Sequence, residues 1–176
     1  AVFAGIEHGT IPWFSALHGA VVGGGLELAA STHVRVADET AFFALPEGQR
    51  GIFVGGGGSV RVARLAGVAR MTDMMLTGRV ASAVEAERWN LVQYVVPAGQ
   101  ARKKAHELAL IAASNASLSN YAVINALPRI QDMAKEDGLF VESFISSFTA
   151  TSPEAEARLQ AFLDKRAARL KAPGAN

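Results

Sequence analysis

Two glycine clusters, each next to a glutamate, constrain this chain more than anything else in it. Gly23-Gly24-Gly25 runs into Leu26-Glu27-Leu28, and Pro46-Glu47-Gly48 is followed by Gly55-Gly56-Gly57-Gly58. Glycine lets backbone pass where a Cβ would collide, so each cluster marks a tight turn or a close approach. Trp13-Phe14-Ser15-Ala16-Leu17 before the first cluster and Ala41-Phe42-Phe43-Ala44-Leu45 before the second are short apolar runs of strand character. A helix is read as opening at residues 26–31, and Ser59 is read as the N-cap of another. Glycine amides that lead into a helix N-terminus offer free N–H groups to an oxyanion or a phosphate. Close packing alone is an equal reason for a glycine triplet. The glutamates shift that balance, because both sit in apolar surroundings where an ionised carboxylate loses solvation and needs a partner. Two such carboxylates beside tight turns point to acid/base work around a developing anion.

Composition removes several other chemistries. The chain has 176 residues, is half apolar and carries a net charge of +1, which suits a globular domain and demands no nucleic acid. It contains no cysteine, hence no disulfide, thiolate nucleophile or cysteine metal site. His8, His18 and His106 lack metal-ligand spacing, so no metal is expected. The tetrad at residues 55–58 lacks the lysine of a P-loop and the triplet lacks the G-x-G-x-x-G form, so no nucleotide cofactor is expected. Ser15, Ser31 and Ser59 sit in no G-x-S-x-G elbow. His18, Glu27 and His33 interrupt any run long enough to span a bilayer, and the opening residues show no basic leader. A cytoplasmic enzyme is the expectation.

Strands and helices alternate up to Pro97. Residues 2–7 read as the end of a helix, 34–37 and 41–44 as strands, and 59–65 and 69–76 as helices, with Gly78 a C-terminal stop. Ser82-Ala83-Val84-Glu85 is a capping box that opens a helix to Trp89, and residues 91–96 read as the last strand. From Gln100 the pattern is helical: 101–116, then 121–133 interrupted at Pro128, then a stripe of Leu139, Phe140, Phe144, Ile145 and Phe148. Ser152-Pro153 caps a final helix expected to reach about Lys171. Two regions follow, an α/β region over residues 1–97 and a helical region over 98–176. Periodicity alone fits more than one α/β fold.

The run from Ile11-Pro12 through Gly19-Ala20-Val21-Val22-Gly23-Gly24-Gly25-Leu26-Glu27-Leu28-Ala29 resembles the signature of the crotonase (enoyl-CoA hydratase/isomerase) superfamily. So do Phe43-Ala44-Leu45-Pro46-Glu47 with the glycines behind it, Arg64-Leu65, Leu76-Thr77-Gly78-Arg79, and Ala161-Phe162-Leu163-Asp164-Lys165-Arg166. Residues 44–79 look closest to the branch with methylthioacryloyl-CoA hydratases. The resemblance implies a ββα superhelix followed by C-terminal helices that form a homotrimer, or a hexamer as a dimer of trimers. By the same resemblance, several opening ββα turns precede residue 1, including the segment with a second oxyanion amide.

That family likeness also implies roles. Glu27 activates a water, Glu47 protonates Cα, the Gly24 amide binds the thioester oxygen, and Gly55 helps hold the water. Phe144 and Lys165 match positions that contact coenzyme A, which arrives as part of the substrate; no separate cofactor is implied. Retention of both glutamates favours hydration of a 2-enoyl-CoA over thioester hydrolysis or isomerisation. A non-catalytic RNA-binding member needs a lysine-rich helix, whereas Lys103-Lys104 is the densest lysine cluster here. Gln49 and Arg50 stand where the family is often apolar, and His33 where it is commonly acidic. His33 reads as a packed or hydrogen-bonded histidine rather than a catalyst.

Overall fold

The computed structural model describes residues 2–166. It divides into two compact units, Ala1–Asn115 and Ala116–Asn176. In the first, the chain alternates between two three-stranded sheets. Strands β1 (Phe14–Leu17), β3 (Val34–Asp38) and β6 (Tyr94–Val96) form one sheet in the order β1-β3-β6. Strands β2 (Ala20–Val22), β4 (Phe42–Ala44) and β5 (Ala81–Ser82) form the other in the order β2-β4-β5. β1 pairs in parallel with β3, from Phe14↔Val34 to Leu17↔Ala37, and β2 in parallel with β4, from Ala20↔Phe42 to Val22↔Ala44. Parallel neighbours need a crossover, and helix α2 (Gly24–Ser31) supplies it. Each pass of the chain therefore lays one strand on each sheet and returns through a helix. This is a ββα spiral.

The corners between sheets stack like the strands. Gly19 turns the chain from β1 to β2 with φ +56, and its N–H donates to Thr40 Oγ1 at the corner between β3 and β4. After β4 come a 3₁₀ turn (Gly48–Arg50), α3 (Gly58–Ala66) and α4 (Val68–Thr77), the last stopped by Gly78 at φ +72. Helix α3 buries Gly58, Val62 and Ala66, every fourth residue, against the strands and α2. Val62 and Ala66, with Val21, Leu26, Phe43, Leu45, Met71 and Met74, build the main core. A smaller cluster of Val36, Ala101 and Ala105 lies where α6 (Ala101–Ala113) covers β1 and β3. Helix α6, the first helix after Pro97, packs on these strands and belongs to the first unit, which ends at Asn115.

Several elements differ from the sequence expectation. β2 and β5 were not expected, because strands of three and two residues carry no periodicity and exist only through their pairing with β4. Ser59 is not the cap of α3. The N-cap is Gly57 at φ +97, with no side-chain bond of its own. The last strand is confined to Tyr94–Val96, since Leu91 and Val92 are already buried in the core before it begins.

Helix α5 (Ala83–Arg88) starts with the expected capping box: Ser82 Oγ accepts from Glu85 N–H, and Glu85 Oε2 accepts from Ser82 N–H. Ser82→Ala is expected to cost about 1 kcal/mol, read as a lower urea midpoint at unchanged slope. An unchanged midpoint would show that the box contributes nothing.

The second unit is helical: α7 (Ser117–Asn125), α8 (Leu127–Ile130), α9 (Lys135–Ala150) and α10 (Pro153–Leu163). The expected interruption near Pro128 is the break at Ala126, with the proline in the first turn of α8 where its missing N–H costs nothing. Ser152 caps α10 by accepting from Ala155 N–H. That helix ends at Leu163, not near Lys171; Lys165 takes φ +57, which terminates a helix, and Lys171 lies outside the described residues. Leu139, Phe140, Phe144 and Phe148 on α9 are exposed.

Candidate active site

The parallel pairing of β2 and β4 sends the chain out of the same sheet edge twice. Gly23 N–H still donates to Ala44 O at 3.0 Å, extending that pairing one residue beyond the strands. Glu27 follows in the first turn of α2, and Glu47 follows β4 at the start of the 3₁₀ turn. Both are buried, at 5% and 7% exposure. Gly23 is the hinge between them. Its φ of +57 and ψ of −124 suit only glycine, and a Cβ there would lie 2.9 Å from Glu47 Oε1. The turn that launches the helix of one glutamate is thus a wall for the other.

Glu27 is held at the start of α3. Its Oε1 accepts from Gly56 N–H at 2.7 Å and from Gly58 N–H at 2.8 Å. Gly58 is the first residue of α3, whose N–H a helix start leaves unpaired at the positive end of its dipole, and Gly56 lies just before the N-cap. The glycines are required for the approach: a Cβ on Gly58 would meet Glu27 Oε1 at 2.9 Å, and one on Gly56 the Phe3 ring at 2.6 Å. The anion gripped by the second glycine cluster is therefore the protein's own carboxylate. This also explains why Ser59 is not needed as a cap.

Glu47 is different. Its Oε2 is buried and bonds no protein atom among the described residues. Buried polar atoms are nearly always paired, and an exception calls for a water, a ligand or a function. Glu27 is fixed by the chain; Glu47 keeps one oxygen open.

The other expected residues fall as follows. Gly24 is the first residue of α2, where helix geometry gives its N–H no carbonyl within the helix, and it is exposed. Gly55 is exposed on the rim of a cleft of about 430 Å³, which Val2, Phe3, Gly56 and Arg61 also line. Glu27, Glu47, Gly24 and Gly55 all belong to the first unit. Phe144, exposed on α9, and Lys165, just past α10, belong to the second.

His33 is a hydrogen-bonded histidine, as expected: Nδ1 accepts from Trp13 N–H at 2.9 Å, so Nε2 carries the proton it donates to Glu7 O at 3.2 Å. Burial pushes its pKa below the ordinary histidine value. Sequence reasoning missed the amides of Gly56 and Gly58 and the ion pair between Glu7 and Arg61. The glycine tetrad was the available signal for the amides. Nothing local signals a pair that joins α1 (Val2–Glu7) to α3.

Chemically, the arrangement offers two buried carboxylates from successive turns of one spiral, with the helix-start amide of Gly24 in the same helix turn as Glu27. It can take a proton at one oxygen, give one at another, and stabilise negative charge at a third point. Among the described residues no three His, Asp or Glu side chains gather into a metal-holding group. No helix among them is long and apolar enough to cross a membrane.

Known proteins share this fold. The family model described as enoyl-CoA hydratase/isomerase matches residues 2–173. Enoyl-CoA hydratase EchA19 of Mycobacterium tuberculosis is 33% identical over 158 residues, which is 90% of this chain and 59% of that protein. The fatty acid oxidation complex subunit alpha of Shewanella loihica is 41% identical over 128 residues, covering 72% of this chain and 18% of its own length. A crystal structure from Rhodopseudomonas palustris CGA009 superposes with a TM-score of 0.91 at 52% identity, over 94% of this chain and 64% of that one. The enoyl-CoA hydratase of Bacillus anthracis does so with a TM-score of 0.87 at 33% identity, over 93% and 64%. The chain thus spans about six-tenths of the length of EchA19. Its ββα spiral is the crotonase fold, and the chain belongs to the enoyl-CoA hydratase/isomerase family.

Proposed function

We propose that the protein is an enoyl-CoA hydratase, adding water syn across the double bond of a 2-enoyl-CoA thioester. The observation that carries this is the pairing of an amide-held carboxylate, Glu27, with a buried carboxyl, Glu47, that keeps an oxygen without a protein donor. Family members that use one acid/base group have no need of a second buried carboxyl.

In the reaction, Glu27 takes a proton from water as the oxygen bonds to Cβ. The C=C electron pair moves into the thioester as an enolate, and Glu47 delivers a proton to Cα. The water's hydroxyl ends on Cβ and its proton on Glu27, while Glu47 has given up the proton now on Cα. Transfer of the proton from Glu27 to Glu47, through the next water, resets the pair. The Gly24 N–H faces the enolate oxygen, a contact of a kind worth roughly 3–4 kcal/mol in a transition state. Gly55, on the cleft rim, helps to hold the water. The chemistry as written uses no metal or redox cofactor.

The same reading makes coenzyme A a contact of Phe144 and Lys165 and makes the C-terminal helices the assembly surface of a trimer or hexamer in the cytoplasm. The exposed apolar side chains of α9 support that assembly role. Within it, residues 44–79 favour the methylthioacryloyl-CoA hydratase branch. The test is the loss of enoyl conjugation absorbance when crotonyl-CoA meets the protein at its natural length, with free thiol followed in parallel. Loss of absorbance without thiol supports hydration. Thiol release makes it a hydrolase, and no reaction with any short or medium enoyl-CoA contradicts the enzyme reading. Faster turnover of methylthioacryloyl-CoA than of crotonyl-CoA supports the narrower branch; the reverse order removes it.

A further inference from the structure

We propose that Arg61, braced by Glu7, is a positioning residue that fixes the Glu27 carboxylate through the Gly56 peptide units. This rests on the hydratase reading for its kinetic consequence, but the geometry stands by itself. Arg61 lies on α3, one helical turn past the N-cap, and its side chain is only 14% exposed. Its Nη1 donates to Gly56 O at 2.8 Å, while Nε and Nη2 both donate to Glu7 Oε2, at 2.8 and 2.5 Å. Gly56 is therefore held from two sides, its N–H on Glu27 and its C=O on Arg61.

A residue without a Cβ has the widest backbone freedom, and two of its neighbours, Gly55 and Gly57, are glycines as well. Nothing in the intrinsic conformation of Gly55-Gly56-Gly57-Gly58 keeps the two amides aimed at one oxygen. The guanidinium does so by tying the Gly56 carbonyl to a fixed carboxylate. Gly57 makes room for it: a Cβ there would lie 2.2 Å from Arg61 Nη1.

The brace is itself anchored. Glu7 ends α1; its carbonyl bonds His33 Nε2, and the Phe3 ring of the same helix lies over Gly56. Arginine is the residue type this requires, since its planar fork serves two acceptors in different directions at once. A lysine ammonium is a point charge on a flexible stem. The chain from α1 to Glu27 thus runs through Glu7, Arg61 and Gly56.

A residue that only stabilises the fold and one that aims a carboxylate are separated by a double-mutant cycle in the protein at its natural length. Arg61→Met is expected to lower kcat for crotonyl-CoA hydration by roughly 10²-fold with KM little changed, the cost of a misplaced reacting group. Arg61→Lys is expected to lose less than Arg61→Met. In a Glu27→Gln background, Arg61→Met is expected to change kcat by less than about twofold, because the group it positions is already gone. A full Arg61→Met loss persisting in that background, or no loss in the wild-type background, overturns the proposal.

Amide hydrogen exchange at Gly56 and Gly58 gives a readout that needs no turnover, and Glu7→Gln keeps it available if Arg61→Met does not fold. Both amides are expected to exchange faster in Arg61→Met and in Glu7→Gln. Unchanged exchange overturns the clamp whatever the reaction. A wild-type protein without hydratase turnover removes the hydratase reading and leaves the clamp to be decided by exchange.

Discussion

Glu47→Gln is expected to lower kcat for hydration of a 2-enoyl-CoA by roughly 10²–10⁴-fold, the usual contribution of a general acid, with the fold intact. Glutamine matches the shape of glutamate, and Oε2 of Glu47 has no protein donor among the described residues to lose. The substitution removes a transferable proton and little else. Glu27→Gln is expected to cost activity on the same scale for a different reason. Its amide oxygen still accepts from Gly56 and Gly58, but it cannot take a proton from water. It also trades two charge-assisted hydrogen bonds for weaker neutral ones, so this variant, unlike Glu47→Gln, is expected to lose stability as well. Steady-state kinetics beside urea unfolding separate the two effects. Activity within about tenfold of wild type in either variant is less loss than an acid or base allows, and contradicts its role.

Gly58→Ala is the second large effect, and it acts without touching a reactive group. Gly58 lacks the positive φ of Gly57, so alanine adopts its backbone without strain. In a helix, alanine is even favoured over glycine by about 1 kcal/mol. Its methyl, however, would lie 2.9 Å from Glu27 Oε1, 3.0 Å from Cγ and 3.3 Å from Cδ. Those separations are shorter than van der Waals contact, so the carboxylate must move away from the helix start. A displacement of that kind costs roughly 10²-fold in rate. The expected outcome is a folded variant with kcat down by that factor. Full activity in Gly58→Ala would show that Glu27 does its chemistry from some other position than the start of α3.

The glutamate pair was legible in the sequence because each follows a short apolar run and lies beside glycines, and those local features survive in the fold. What brings them together was not: β2 and β4 are three residues each, and the parallel pairing that sends both chains out of one sheet edge leaves no trace in periodicity. The cap of α3 shows a related limit. Ser59 is a reasonable cap locally, but the acceptor at that helix start is Glu27, which arrives through tertiary structure. The Arg61–Glu7 pair joins two helices with no shared pattern, so it was invisible for the same reason. Helices with written punctuation were read well, as with Ser82 and Glu85, Gly78, and Ser152-Pro153. The stripe on α9 was legible as a stripe. Sequence alone left open whether it packs inside the chain or faces outward, and here Phe140 and Phe144 are exposed.

The most direct test of the two-carboxylate account is the product formed from crotonyl-CoA in D2O by the protein at its natural length. The account predicts the 3-hydroxyacyl-CoA with one deuterium at Cα on a single face, with the thioester intact, and its formation slowed roughly 10²–10⁴-fold in Glu47→Gln. Crotonate with free coenzyme A, or an acyl-CoA whose double bond has moved, would contradict it.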